Sequence, residues 1–169
     1  ICSVYKGNNS PYSEIKKIES CLDSIILNKI PKENEYIGKL LEWTGSKSLE
    51  LLYRGTRDGT QPKNFHDLCD NKGPTITLFK NEIGNIFGGY ASEPWTPQFT
   101  FYGTGECFLF SYFKDNKIHV YTSTGENDHY MYGDYDQICM GCSDDYFSLA
   151  LRNNFLDGYS KSTKTYNKL

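Results

Sequence analysis

His66-x-x-Cys69 and Cys139-x-x-Cys142 are the first spacings in this sequence that could do chemistry. Two residues between donors suits one side of a tetrahedral zinc site made of imidazole and thiolate ligands. The elements that must carry them argue otherwise. His66 and Cys69 fall on a short helix, where packing accounts for both. Cys139 and Cys142 fall in a strand-like run, where residues three apart point to opposite faces. That context also denies the pair the helix N-terminus that lowers a thiol pKa in redox Cys-x-x-Cys motifs. No metal and no cofactor are expected. Cys107 is a third thiol, and it follows Glu106 and the turn Gly103-Thr104-Gly105. The neighbouring carboxylate would raise that thiol's pKa. A buried structural cysteine is the plain reading, and a peroxide-reactive thiol the sharper one. Glu106 as a general base needs a partner within hydrogen-bond reach, and none of the 3 histidines (His66, His119, His129) is placed beside it by any pattern. There is no G-x-S-x-G elbow and no Walker loop, and Gly103-x-Gly105 is too short for a dinucleotide fingerprint. An enzyme acting on a small-molecule substrate is not expected.

The elements that position these residues can be read from periodicity. LELLYR (Leu49–Arg54) alternates as a strand, with Leu49, Leu51 and Tyr53 on one side and Leu52 and Arg54 on the other. Gly55 and Arg57-Asp58-Gly59 break it, Asp58 capping the turn. Arg54 and Arg57 are placed to pair with carboxylates such as Asp58 or Glu106. Pro62 opens a short helix, with Phe65, Leu68 and Cys69 as its apolar stripe and Asp70–Pro74 as its end. TITLFK is a strand, Asn81–Asn85 a turn, and IFGGYA the antiparallel return. Gly88-Gly89 marks a bulge or a crowded strand crossing. Trp95, between Pro94 and Pro97, is either a lid on the core or an exposed anchor for a partner. FTFYGTGECFLFSYF gives two strand-like runs around a glycine pair. In the second, Cys107, Leu109 and Ser111 share one face and Phe108, Phe110 and Tyr112 the other, which suits a central strand. Asp115-Asn116-Lys117 turns into IHVYTS, and Gly125–Asp128 turns into HYMY. Ile138–Cys142 and Tyr146–Leu151 are further strands, Gly158 belongs to a loop, and Ser162–Tyr166 is a last short strand.

Upstream, residues 1–12 read as loose. A helix opening at Pro11 or Ser13 would carry Ile15, Ile18, Leu22, Ile25 and Ile26 on one face, as a core helix or as a short seam toward a partner, until Pro31 stops it. A second helix spans about Glu33–Trp43. The chain is long enough at 169 residues for one domain with a real core. Its aromatic load (14 Tyr, 10 Phe, 2 Trp) and 15 Gly favour β structure with many turns. A net charge of −3 gives no electrostatic footprint for phosphate backbones, so nucleic acid is not an expected partner. No apolar run is long enough to span a bilayer. The 6 cysteines have irregular spacings in a chain large enough not to need staples, so reduced thiols of the cytosol or nucleus are expected. The fold class is α+β, mainly β: a two-sheet antiparallel sandwich with N-terminal helices and one short helix between early strands.

Several blocks in order carry a family likeness: LLYRGTRDG, FHDLCDNKGPTITLFK, IFGGYASEPW, FYGTGECFLF, VYTSTGENDHYMYGD and GYSKSTKTYNK. Together they resemble the TLDc domain over about two-thirds or more of the chain. The resemblance implies a helical lead-in over 1–45 and a TLDc domain over 46–169. The family's final strand, of acidic-aliphatic-aromatic pattern, is missing before Leu169, which leaves the completeness of one sheet open. Met140-Gly141-Cys142 stands where the family has a run of glycines. The transferable positions are Arg54, Asp58, Gly59, Gly88, Gly89, Trp95, Gly103, Gly105 and Glu106, most of them expected to hold the fold. The resemblance also implies a non-catalytic, cytoplasmic protein-interaction domain of the oxidative stress response, binding or regulating the V-ATPase through its peripheral subunits. Two other readings stand beside it. One is a peroxide scavenger using Cys107. The other is a nuclear regulator of stress-responsive transcription, which would need a basic face from Lys16, Lys17, Lys29, Lys32, Lys39 and Lys47.

Overall fold

The computed structural model describes residues 2–6, 26, 33–46, 49–112, 117–124, 130–143, 146–152, 157–160 and 166–168. The strands are β1 (Cys2–Lys6), β2 (Leu49–Arg54), β3 (Thr75–Lys80), β4 (Ile86–Ala91), β5 (Phe101–Tyr102), β6 (Phe108–Tyr112), β7 (Ile118–Ser123), β8 (Met131–Tyr132), β9 (Ile138–Ser143), β10 (Tyr146–Arg152), β11 (Asp157–Ser160) and β12 (Tyr166–Lys168). The helices are α1 (Glu33–Thr44), the single turn α2 (Gly55–Asp58) and α3 (Pro62–Cys69). A seven-stranded sheet runs β12-β7-β6-β4-β3-β1-β2, and a five-stranded sheet runs β11-β10-β9-β8-β5. Every named strand pair is antiparallel. The expected two-sheet, mainly β architecture is what the chain adopts.

The large sheet is covered on both faces, and strand alternation sorts its residues between two cores. Ile76 and Leu78 of β3 and Phe108 and Phe110 of β6 face α1, joining Tyr36, Leu40 and Ile26. The opposite faces present Phe79, Phe87, Cys107 and Leu109 to the small sheet, against Met131, Ile138, Met140 and Leu149. This two-sided burial is why β6 reads as apolar on both faces. Gly89 sits where the sheets approach closely. A Cβ there would fall 2.4 Å from Met140 Sδ and 2.9 Å from Leu109 Cδ2. The β3–β4 register runs without a break from Lys80↔Ile86 to Thr75↔Ala91. Gly88-Gly89 therefore marks crowding and not a bulge.

Several expectations are overturned. Residues 2–6, read as loose, form β1 between β2 and β3. The segment CSVYK is too short to show a clear periodicity, and it pairs on both edges. Tyr53 does not share a face with Leu49 and Leu51. The β1–β2 register slips, with Ser3↔Tyr53 followed by Val4↔Leu51. The extra residue, Leu52, resets the alternation, and Tyr53 and Leu52 join the inter-sheet core while Leu49 and Leu51 stay under α1. Leu68 is 38% exposed; the buried stripe of α3 is Pro62, Phe65, His66 and Cys69. Gly158 lies in β11, and the last short strand is Tyr166–Lys168. The helix expected from Pro11 or Ser13, the turns Asp115-Asn116 and Gly125–Asp128, and Lys16, Lys17, Lys29, Lys32 and Lys47 lie outside the described residues, as does His129. Lys39 is described, and it pairs with Glu42 at 2.7 Å.

Candidate functional site

The His66/Cys69/Trp95 cluster is built by α3 and the strand-free segment after β4. Pro62 begins the helix, and Gln61 and Asn64 form a capping box, with Gln61 N donating to Asn64 Oδ1 at 3.1 Å. Helical spacing then turns Phe65, His66 and Cys69 inward. His66 is 1% exposed. Its Nδ1 lies 2.7 Å from Asp70 Oδ1 and its Nε2 3.0 Å from the carbonyl oxygen of Gln137, 71 residues away. Both ring nitrogens are thus engaged with oxygen acceptors, which ties α3 to the start of β9. Neither ring nitrogen is left open to a metal ion. Among the described residues no group of three or more His, Cys, Asp or Glu is arranged to hold a metal ion. Cys69 and Cys139 are buried, and the Cys142 side chain lies outside the described residues.

Trp95 is fully buried. Its Nε1 donates to Thr75 Oγ1 at 2.9 Å, and its ring stands edge-on to Phe65 at 5.5 Å. Backbone atoms fix the loop as well: Asp70 and Trp95 form a parallel bridge, and Asn71 N donates to Trp95 O at 2.9 Å. Of the two roles expected of this tryptophan, the structure gives it the lid and not the exposed anchor.

Cys107 is 1% exposed. Its Sγ lies 3.2 Å from Ser92 Oγ and accepts from Ser92 N at 3.4 Å, while Ser92 Oγ lies 2.8 Å from Thr104 Oγ1. Burial pushes the thiol up, and the Ser92 contacts only partly offset it. This is the reverse of what a nucleophilic thiol needs. Glu106 is exposed, and its backbone N–H donates to Thr104 Oγ1 at 3.3 Å. Gly103 takes φ +104, and a Cβ there would meet Tyr130 Cβ at 3.1 Å; Gly105 has no such crowding.

Arg57 and Asp58 close the turn after β2. Arg57 Nε and Nη2 donate to the two Asp58 oxygens at 2.6 and 2.7 Å, and Nη2 also donates to Leu52 O at 3.1 Å. Asp58 Oδ2 in turn accepts Arg54 N at 2.8 Å. These bonds from Arg57, first among the causes, hold the Asp58 carboxyl below the usual carboxylate range. Tyr53 Oη donates to the carbonyl of Gly59, at φ +105. Of the expected pairings, Arg57–Asp58 forms.

Sequence reasoning missed a surface. Phe99 is 61% exposed and holds φ +51. A bulky side chain in the left-handed region is an outlier costing about 1–2 kcal/mol. The conformation is fixed by the exchange of Phe99 N to Gly133 O at 2.8 Å and Gly133 N to Thr100 O at 3.2 Å. Gly133 itself admits no side chain, since a Cβ would lie 2.0 Å from Thr96 O. Phe99 packs edge-on against Tyr135 at 6.3 Å, and Tyr135, 43% exposed, reaches back to His66 at 6.1 Å. Phe101 and Tyr132, cross-strand partners, lie with their rings tilted at 49° and 4.8 Å apart. Asp134 and Asp136 flank Tyr135. The signal available in sequence was Gly133-Asp134-Tyr135-Asp136, an aromatic between two carboxylates after a glycine.

Comparison with known proteins comes down to one family. The TLDc domain model matches residues 21–169. The chain is 41% identical over 117 residues to the MTOR-associated protein MEAK7 of Gallus gallus, covering 62% of this chain and 25% of that protein. It is 35% identical over 133 residues to the MEAK7 of Danio rerio, covering 75% and 29%. It is 32% identical over 117 residues to oxidation resistance protein 1 of Homo sapiens, covering 69% and 13%. The chain thus spans less than a third of the length of these relatives. Strands β2 to β12, the buried tryptophan and the crowded Gly88-Gly89 pair all lie within the matched span, and the chain belongs to the TLDc domain family.

Proposed function

We propose that this chain is a non-catalytic protein-interaction domain that acts in the oxidative stress response by binding the V-ATPase through its peripheral subunits. The observation that carries the non-catalytic reading is the inward placement of the candidate thiol and imidazole: Cys107 and His66 are each 1% exposed. A thiol pushed up by burial is a poor peroxide acceptor, which weighs against scavenging at Cys107. The relatives support interaction and stress protection by their names, one set being described as MTOR-associated and the other as oxidation resistance proteins. The V-ATPase enters as the partner the family resemblance implies, and a cytoplasmic site of action goes with it. No helix among the described residues is long and apolar enough to cross a membrane.

The test is reconstitution from purified components under reducing conditions. The domain is mixed with the peripheral subcomplex of the V-ATPase and resolved by size exclusion, with peroxide consumption followed in parallel. Co-elution with no peroxide turnover is the expected result. Absence of co-elution, together with peroxide loss that Cys107→Ser abolishes, would overturn the proposal in favour of the thiol enzyme.

A further inference from the structure

The surface around Phe99 is strained and exposed together. Backbone strain at a non-glycine residue persists only where the surroundings over-determine it, and it points toward function when the strained side chain is not needed for packing. Phe99 is 61% exposed, so the core does not need its ring. What the strain accomplishes is to present that ring beside Tyr135, 6.3 Å away, at a place where Phe101 and Tyr132 add two further rings. Aromatic faces carry partial negative charge and attract guanidinium and ammonium groups. The charges on the same segment have the same preference. Asp134 and Asp136 stand on either side of Tyr135, and among the described residues neither carries a salt bridge. The Asp134 carboxylate shapes the turn, accepting Asp136 N at 2.9 Å and Gln137 Nε2 at 2.8 Å. Arg152 Nε donates to Gln137 Oε1 at 2.8 Å.

We propose that the Phe99–Tyr135 surface, flanked by Asp134 and Asp136, docks an extended segment of a partner protein rich in arginine or lysine. The apolar part of each long basic side chain lies along the rings while its charged end reaches the carboxylates. The inference rests on the interaction-domain reading and gives the partner's chemistry.

The probe is a phage-displayed library of random dodecapeptides selected on the whole domain, and the selected peptides are then tested on Phe99→Gly. Glycine at this position relieves the φ while removing the ring, so the variant keeps its fold, which circular dichroism checks. The expected result is enrichment of peptides with net positive charge. Their binding, read by fluorescence anisotropy, weakens at least tenfold in Phe99→Gly and in Asp136→Lys, and weakens with added salt. No enrichment, a neutral or acidic consensus, or full binding by a folded Phe99→Gly overturns the proposal. A concentration-dependent dimer in sedimentation that Phe99→Gly abolishes overturns it in favour of a second copy as occupant. The two proposals fail separately. Peripheral V-ATPase subunits that co-elute equally with wild type and Phe99→Gly would leave the domain reading standing and overturn this surface. Loss of pump binding with basic-peptide binding intact would do the reverse.

Discussion

Replacing Gly88 by alanine should damage the domain far more than the same change one residue on. A Cβ at Gly88 would lie 1.9 Å from the carbonyl oxygen of Thr77 and 3.0 Å from Phe110 Cζ. An ordinary carbon–oxygen contact is roughly 3.3 Å, so β3 and β4 would have to separate by about 1.4 Å. The obstacle is backbone in the middle of a paired ladder, Leu78 facing Gly88, and it has no rotamer through which to yield. A shift of that size takes two or three ladder hydrogen bonds beyond useful length, each contributing about 1 kcal/mol net, and it disturbs the Phe110 packing. The expected loss is about 3–5 kcal/mol. At roughly 2–4 °C per kcal/mol for a domain of this size, Tm should fall by about 6–20 °C. At Gly89 the added methyl meets Met140 Sδ and Cε, at the end of a flexible side chain that can turn away. Gly89→Ala should cost about 1–2 kcal/mol, and shortening Met140 in the same molecule should recover part of it, whereas nothing short of moving β3 helps Gly88→Ala. Scanning calorimetry of both single variants, and of Gly89→Ala with Met140→Val, decides the matter. Equal Tm shifts at the two glycines, or a Gly88→Ala loss below about 1 kcal/mol, would refute the steric argument.

Four other outcomes follow from the packing and the titrating groups. Trp95→Phe removes the bond to Thr75 and leaves part of the indole's space empty, and should cost about 2–3 kcal/mol in urea titrations, while Trp95→Ala should cost about 3–5 kcal/mol; unchanged stability in both would mean the ring is not the lid described. Cys107 should resist Ellman's reagent in the native state at pH 8 and react only as the chain unfolds. On the alkaline side, Cys107 and Tyr90 are raised and Tyr102 is pushed up to about 12, each chiefly by burial. Stability from these groups is complete below their unfolded values and is lost as pH rises through the folded ones, so urea midpoints should fall above about pH 9, and less steeply in Cys107→Ser. Asp58 is lowered, so its contribution is complete above about pH 4 and is lost as pH falls through its folded value. Asp58→Asn should flatten that acid limb and cost about 1–2 kcal/mol at neutral pH through the weakened Arg54 and Arg57 bonds.

Strands whose burial follows simple alternation were legible. β3, β4, β6 and β7 appear where their residues place them, and Phe108, Phe110 and Tyr112 oppose Cys107 and Leu109 as the period of two requires. What alternation cannot register is a change of phase. The extra residue at Leu52 sends Tyr53 into the other core, and only the pairing with Ser3 and Val4 reveals it. Long-range partners were equally hidden. The fate of His66 depends on Gln137, and that of Trp95 on Thr75, pairings that no local window contains. The exposed surface escaped for another reason: Phe99 reads as one aromatic among many until its φ and its exposure are known.

The position of β1 sets the order in which the molecule can assemble. β3, β4, β6 and β7 form a meander whose neighbours are close in sequence, so their closure is rapid. β1 must find Leu49–Arg54 on one edge and Thr75–Leu78 on the other, closing loops of roughly 45–75 residues before either ladder is gained. Its insertion is therefore a late event, and until then β2 has no place in the large sheet. In that interval two strand edges, those of β2 and β3, lie open to any extended chain nearby. The yield of refolding is governed by how fast five residues reach that gap relative to the rate at which two such gaps meet, and it should fall as protein concentration rises while the native state itself stays unaffected.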